Sequence, residues 1–211
     1  LNSRHGAITQ LFTYGQYILF KSGTAAMGTL SSGEILESFQ HLREDLEKAA
    51  HAAYIAEMVD RLTEDAEPNS WLFDQLLAAF RALEEGKDAA IVSHIMEMQL
   101  LSLSGYSPRL TQCANCGNQQ GEMWLSAGEG GVLCGQCRGR DPYAQVIGPG
   151  TLKLMRLFQQ VDLRRLGNVN VKPATKRQLK WAMRLLMDTH VGVNWKSRQF
   201  LDQMDKYDLK E

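Results

Sequence analysis

The four cysteines of this 211-residue chain lie in two pairs that have the spacing of a metal site. Two residues separate Cys113 from Cys116 and Cys134 from Cys137, and 17 residues lie between the pairs. Two thiolates spaced in this way can bind one tetrahedral ion from a tight turn, and a second such turn completes four ligands. We therefore predict a structural Zn²⁺ site, because four protein ligands leave no position for water or substrate.

Disulfide bonds, unrelated thiols, and a redox or iron–sulfur role are the alternatives to zinc. The sequence has no apolar run of the roughly 20 residues that cross a bilayer, and residues 1–6 have no stretch of signal-peptide type. We therefore expect a cytoplasmic protein without a membrane partner. Disulfides are disfavoured in that compartment. Four unrelated thiols would rarely have this spacing, so zinc is the preferred interpretation.

The segment 109–148, which contains the cysteines, is rich in glycine and has no clear periodicity. We expect it to be irregular, with almost no apolar core, and to depend on its metal for stability. Zinc binding in such segments contributes roughly 10–16 kcal/mol of apparent free energy. Gly117 and Gly135 are expected to supply the left-handed backbone that the two metal-binding turns need.

Outside this segment the pattern predicts a mainly α chain with a short β segment at its start. Residues 11–20 and 27–37 are rich in aromatic and other β-favouring residues, so we expect two strands there. The period then becomes helical, with Phe39, Leu42 and Leu46 at the start of a buried stripe. Predicted helices cover 38–67, 70–86, 88–105, 151–167, a stretch beginning at Pro173, and a short stretch near 200–204. The third of these can be capped by Asp88, and its wide apolar stripe predicts a central, mostly buried helix.

The net charge of −1 conceals an uneven distribution along the chain. Residues 1–110 hold 8 Lys/Arg and 15 Asp/Glu, whereas residues 151–211 hold 13 Lys/Arg and 6 Asp/Glu. A basic C-terminal third behind an acidic body suggests contact with a polyanion or an acidic partner. The alternative is a solvated helix face that packs near the acidic half.

We expect that the protein is not an enzyme, because its sequence lacks the motifs that carry common catalytic chemistry. The 211 residues contain no His-Glu-x-x-His, no phosphate-binding Gly-x-x-x-x-Gly-Lys-Ser/Thr and no Gly-x-Ser-x-Gly. The cysteine pairs also lack the His-x-Glu partner of zinc deaminases. His94 and Glu97 lie one helical turn apart and could bind a metal, but a plain hydrogen-bonded pair is the preferred interpretation.

The order of short fragments along nearly the whole chain resembles the bacterial RecO family of DNA repair and recombination proteins. Each fragment is weakly specific, whereas their order together with the cysteine pattern is specific. The fragments are Tyr14-Gly15, Gly28-Thr29-Leu30, Gly33-Glu34, residues 43–46, 52–57 and 59–61, Gly105-Tyr106-Ser107-Pro108, Asp141-Pro142-Tyr143, residues 163–169, and residues 196–204.

The resemblance implies an N-terminal OB-fold barrel followed by a helical domain with an inserted zinc module. An OB-fold has five strands, and only the last two have counterparts here, so we expect a chain that lacks its first three strands. The implied organisation is a barrel remnant over 1–37 and a helical domain over 38–211, with the zinc-binding insertion at about 109–148. For the strand aromatics Phe12, Tyr14, Tyr17 and Phe20, a place in the barrel core is the preferred interpretation, and stacking on DNA bases is the alternative.

The resemblance also implies the function of a recombination mediator. Such a protein binds single- and double-stranded DNA, anneals complementary strands and, with RecR, helps to load RecA onto DNA coated by single-strand-binding protein. The basic candidates for DNA contact are Arg4, Lys21, Arg138 and Arg140. The family also binds the acidic, Phe-ended tail of single-strand-binding protein, for which the candidate cations are Arg164, Arg165, Lys176, Arg177 and Lys180.

Two rival functions are consistent with the same residues. The chain could be a zinc-stabilised adaptor that binds RecR or the acidic tail without itself contacting DNA. It could also be an enzyme on a zinc-stabilised scaffold. A nucleoid-associated protein of the bacterial cytoplasm is expected in the favoured case.

Overall fold

The computed structural model describes residues 6–23, 27–63 and 68–206. These residues form seven α-helices and two small antiparallel sheets of two and three strands, so the prediction of a mainly α chain is confirmed. Arg4, one of the candidate DNA contacts, lies outside the described residues. Across the part that the structure covers, no helix combines the length and the hydropathy needed to cross a lipid bilayer.

The predicted N-terminal strands form a hairpin of β1 (Tyr14–Phe20) and β2 (Thr29–Glu37). One end of this hairpin is fixed to helix α3 (Ser70–Glu84) by aromatic contacts. The rings of Phe12 and Phe80 lie 5.4 Å apart, and those of Tyr14 and Phe73 lie 5.7 Å apart. The hairpin therefore depends on the helical body, as expected for a ribbon of two strands.

The expected OB-fold is not confirmed in the described residues, where the N-terminal segment is a two-stranded hairpin. The side chains of Ile18, Leu19 and Phe20 are about two-thirds exposed. Of the four strand aromatics, Phe12 and Tyr14 pack against α3, whereas Tyr17 and Phe20 are exposed rather than buried in a barrel.

The single helix predicted from residue 38 is interrupted, and its buried stripe is confirmed at Phe39 and Leu42 but wrong at Leu46. Helix α1 (Gln40–Glu44) ends at Asp45, whose side chain accepts a hydrogen bond from the backbone N–H of Lys48 and starts helix α2 (Leu46–Leu62). This N-cap restarts the helix with a different face turned inward. As a result Leu46 is 55% exposed, and the buried side chains of α2 include Ile55 and Met58.

Helix α4 (Ala89–Leu103) is the centre of the protein, as its apolar stripe predicted. Every residue from Ile91 to Leu101 is buried, and α2 and α3 pack against this helix. Asp88 caps its start through the backbone N–H of Ile91, also as predicted. Complete burial of a large apolar side chain contributes about 1.5–3 kcal/mol, so α4 is the main source of core stability.

The cysteine-containing segment has more regular structure and more core than predicted. Strands β3 (Met123–Ser126), β4 (Gly131–Cys134) and β5 (Gln145–Ile147) form an antiparallel sheet in the order β4-β3-β5. All residues of β3 and β4 are buried, and their apolar side chains join the core of the helical body. The expectation of an almost coreless segment was therefore wrong. Short strands that are buried on both faces show no helical period of apolar residues, so the sequence pattern did not indicate their core.

Three more helices complete the fold: α5 (Pro149–Phe158), α6 (Pro173–His190) and α7 (Lys196–Lys206). Helix α6 begins at Pro173, as predicted. Helix α5 is shorter than predicted, since it ends at Phe158 and a separate 3₁₀ turn follows at Leu163–Arg165. That turn is fixed from the core, where the Gln75 side chain accepts a hydrogen bond from the Leu163 N–H and donates one to Asp162.

Candidate metal centre and basic cleft

The four cysteine sulfurs converge at one point at the end of the β3–β4 hairpin. Each pair lies on a turn, closed by a hydrogen bond from the Gly117 N–H to the Cys113 carbonyl and from the Cys137 N–H to the Cys134 carbonyl. Gly117 has a φ of 78°, as the predicted turn requires. Gly135 does not have a positive φ, so that part of the prediction was wrong; it faces the ring of Trp124 instead.

The distances between the sulfurs fit a tetrahedral thiolate site. All four Sγ atoms lie within 4.8 Å of one another, and those of Cys116 and Cys134 are 3.6 Å apart. A Zn–S bond of about 2.3 Å places tetrahedral thiolates roughly 3.8 Å from one another. Cys113, Cys134 and Cys137 are buried and Cys116 is exposed. Among the described residues, these four form the one cluster of three or more metal-binding side chains.

The electrostatics of the cluster favour a bound cation. Burial by itself would raise the pKa of Cys113, but backbone N–H groups, among them those of Cys116 and Cys134, lower it to about 6. The backbone N–H of Asn118 by itself would lower the pKa of Cys116, but the three neighbouring thiols raise it to about 12. Four thiolates therefore do not coexist in this space unless a positive charge compensates them.

A second candidate site is a cleft of about 920 Å³ between the first halves of α2 and α4 on one side and α6 and α7 on the other. We call it the basic cleft. Its apolar surface includes Ile91, Leu201 and Met204, and it also contains five acidic side chains. The seven cations that line it are Lys48, Lys87, Lys176, Arg177, Lys180, Arg184 and Arg198.

Most cations of the basic cleft already have partners within the protein. Lys176 pairs with Asp88, and Arg198 donates to Asp188 at 2.6 Å. Lys180 and Arg184 both pair with carboxylates of α7, as described below. Arg177 has no carboxylate within 4.0 Å among residues 6–23, 27–63 and 68–206.

The wall of the basic cleft contains a buried polar network centred on Glu97. Tyr54 donates to one Glu97 oxygen at 2.7 Å, and His94 Nδ1 lies 2.7 Å from the other. Burial opposes ionisation of this carboxyl, but the charge and hydrogen bond of His94 and the bond from Tyr54 lower its pKa. The preferred interpretation of His94 and Glu97 as a hydrogen-bonded pair is confirmed. Nearby, His51 lies 2.8 Å from the Ser93 hydroxyl, and burial lowers the pKa of His51 to about 4.

Comparisons with a family model and with individual proteins show what this chain is similar to. The family model described as "Recombination protein O C terminal" matches residues 43–199. The DNA repair protein RecO of Bacillus subtilis is 42% identical over 204 residues, which are 97% of this chain and 79% of that protein. The RecO proteins of Bacillus pumilus and Listeria monocytogenes are 41% and 38% identical, over 79% and 80% of their lengths.

The chain belongs to the RecO family. The resemblance read from the ordered fragments is thereby confirmed.

The candidate DNA contacts that the structure describes lie on two different elements of this RecO protein. Lys21 is exposed directly after β1. Arg138 and Arg140 lie on the 3₁₀ turn that follows Cys137, but both are engaged within the protein. The Arg138 guanidinium lies 5.2 Å from the centre of the Trp124 ring, and Arg140 Nε donates to Glu129 at 3.1 Å.

The candidate partner contacts divide into two groups. Lys176, Arg177 and Lys180 lie on α6 and line the basic cleft together. Arg164 and Arg165 lie on the 3₁₀ turn and are not part of that lining. Arg164 donates to Asp162 and to Asp74, and its hydrogen bonds are the main cause that lowers the pKa of Asp162.

Sequence reasoning missed Glu57, which positions a wall of the cleft. Its carboxylate accepts hydrogen bonds from the backbone N–H groups of Lys196 at 3.1 Å and Ser197 at 2.8 Å, and so caps the start of α7. Burial alone would raise the pKa of Glu57, but these two N–H groups lower it. The partners are about 140 residues apart, so no local signal could have indicated the contact.

Proposed function

We propose that this protein is a recombination mediator in bacterial DNA repair. In this role it binds single- and double-stranded DNA, anneals complementary strands and, with RecR, helps to load RecA onto DNA coated by single-strand-binding protein. The observation that carries the proposal is membership of the RecO family, at about 40% identity over most of the chain to proteins described as DNA repair proteins.

We further propose that Cys113, Cys116, Cys134 and Cys137 hold a structural Zn²⁺. The convergence of four sulfurs within 4.8 Å and the N–H groups that stabilise thiolates support this assignment. A bound ion would join two turns that are distant in sequence and so fix the end of the β3–β4 hairpin. Because protein ligands occupy all four positions of a tetrahedral ion, the proposed metal does no chemistry, and we expect no turnover of DNA and no need for nucleotide.

The proposed DNA contacts are Arg4, Lys21, Arg138 and Arg140, of which the first two belong to the N-terminal segment. Lysine and arginine side chains that neutralise phosphates release counterions, so binding weakens steeply with salt. We place an OB-fold barrel around the β1–β2 hairpin in this proposal, since its exposed Ile18, Leu19 and Phe20 are apolar side chains that further strands would cover.

For the acidic, Phe-ended tail of single-strand-binding protein, we propose the basic cleft. The cleft has what such a peptide needs: apolar surface for the ring, from Leu201 and Met204, and cations for the carboxylates. Of the five candidate cations, Lys176, Arg177 and Lys180 are favoured because they line this cleft together. Arg164 and Arg165 are disfavoured because they lie outside this lining.

The second candidate is an adaptor that binds RecR or the acidic tail without contacting DNA. The observation that favours it is the engagement of Arg138 and Arg140 by Trp124 and Glu129, because these are the two candidate DNA contacts that follow Cys137. Location in the cytoplasm and association with the nucleoid follow from either role and remain predictions.

Titration of fluorescent single-stranded DNA at 50 and 200 mM salt separates the two candidates. The mediator is expected to bind at low salt and to lose at least about tenfold in affinity at the higher concentration. No binding at low salt, by a chain that still binds the acidic peptide, would reject the mediator for this chain and leave the adaptor.

A further inference from the structure

Helix α7 is fixed to the protein mainly at its beginning. Trp195, the residue before the helix, is 1% exposed, and its ring meets that of Tyr54 edge to face at 6.3 Å. Glu57 caps the first turn through the N–H groups of Lys196 and Ser197. Beyond this anchor no residue of α7 is fully buried. An 11-residue helix is too short to be stable by itself in water, so the remaining contacts decide how its second half is held.

Packing of Leu201 against the core and ion pairs across the basic cleft provide those contacts. Asp202 pairs with Arg184 and lies 3.7 Å from Lys180 Nζ. Asp205, almost one turn later, pairs with the same Lys180. The two carboxylates thus come from α7 and their two cations from α6. The Asp205 side chain is 53% exposed and that of Lys180 is 38% exposed, so this pair is in reach of solvent and of competing anions. The Asp202–Arg184 pair is about one-third exposed on each side.

We propose that the second half of α7 is an internal competitor for the acidic ligand of the basic cleft. Asp202 and Asp205 neutralise Lys180 and Arg184 in the free protein, and an incoming peptide carboxylate replaces them. This inference rests on the proposed binding of an acidic, Phe-ended tail in the cleft. It adds that occupation of the cleft is coupled to release of α7.

The exchange is physically inexpensive because it replaces one set of ion pairs with another. The exposed Lys180–Asp205 pair contributes little to stability. Beside Arg184, the incoming carboxylate takes the place of Asp202, so that cation is not left unpaired. Leu201 and Met204 lie between and beside these acids and line the same cleft. Movement of this half of α7 therefore also changes the apolar surface that a terminal aromatic ring would contact.

The test uses the full chain and a fluorescent nine-residue peptide that is rich in Asp and ends in Phe with a free carboxylate. The double variant Asp202→Asn, Asp205→Asn is expected to bind this peptide about fivefold more tightly than the wild type. The matched control is Asp60→Asn, Glu122→Gln, which changes the net charge by the same amount at exposed residues outside the cleft lining. The control is expected to change affinity less than twofold.

Hydrogen exchange provides a second readout that separates competition from simple attraction. Saturating peptide should speed amide exchange over residues 200–206 in the wild type, because α7 is released. Slower exchange there would mean that the peptide rests on α7, and would overturn the proposal. Equal affinities for the two double variants would also overturn it while leaving tail binding intact. If neither the wild type nor any variant binds the peptide, the proposed tail binding fails and the competitor fails with it.

Discussion

Replacement of two cysteines, one from each pair, is the sharpest test of the metal centre. In the variant Cys113→Ser, Cys134→Ser, two of the four sulfurs within 4.8 Å are lost, and two hydroxyls do not replace thiolates at a zinc site. We expect native mass spectrometry to find one Zn²⁺ per chain in the wild type and none in the variant. At a free metal concentration 1,000-fold above its Kd, the ion stabilises the folded state by about 4 kcal/mol. For a chain of this size that corresponds to a Tm lower by about 8–16 °C in the variant.

The structure limits how far the damage should spread. The sheet of β3, β4 and β5 buries apolar side chains such as Leu125 and Leu133, each with about 1.5–3 kcal/mol of burial free energy. This contribution does not depend on a metal. We therefore expect hydrogen exchange to speed up in the two cysteine turns, at residues 113–118 and 134–137, while amides of β3 remain protected.

The control variant Gln119→Ser, Gln136→Ser places the same number of serines in the same two loops at exposed residues. It should keep the metal and the wild-type Tm. One Zn²⁺ per chain in the cysteine variant would refute the assignment of the ligands. Unfolding of the whole sheet, seen as unprotected β3 amides, would refute the argument that the sheet has its own core.

Three further changes test the basic cleft and its walls. Glu57→Gln should lower the free energy of unfolding by about 1–2 kcal/mol in urea titrations, because the charged carboxylate binds two N–H groups. Since the pKa of Glu57 is lowered in the fold, its stabilising contribution is present above about pH 4.3 and is lost as the pH falls through the folded pKa. A variant whose stability has the same pH dependence as the wild type would contradict this. Tyr54→Phe should cost about 1–3 kcal/mol by removing a hydrogen bond from the buried Glu97 carboxylate, and thermal unfolding at the wild-type Tm would argue against it. Lys180→Ala should weaken binding of the acidic peptide in anisotropy titrations, whereas Arg165→Ala, outside the cleft, should not; equal losses would place the peptide elsewhere.

Features with a local cause could be predicted from the sequence. The cysteine turns, the cap of α4 at Asp88 and the start of α6 at Pro173 each depend on residues that lie within a few positions of one another. The break at Asp45 is also local, and an Asp directly before the apolar Leu46 is an N-cap signal. The break was missed because the spacing of apolar residues continues through Asp45. The predicted buried stripe was therefore carried from α1 into α2, where a different face of the helix is buried.

Contacts between distant segments could not be predicted in the same way. Glu57 caps a helix about 140 residues later, and Asp202 pairs with a cation on a different helix. The apolar core of the cysteine segment was missed for another reason. Its strands are only three or four residues long, so alternation of polar and apolar residues has too few positions to be recognised.

The uneven charge of the chain takes on a different meaning once the ion pairs are known. The 13 lysines and arginines beyond residue 150 suggest an open basic surface, but several of them, including Lys176, Lys180 and Arg184, are paired with carboxylates in the fold. An acidic partner of the basic cleft therefore replaces existing ion pairs rather than adding new ones. Its binding free energy is therefore the difference between the ion pairs that form and those that break. Because salt weakens both sets of pairs, the affinity for the acidic partner should depend less on salt than the affinity for DNA at unpaired cations.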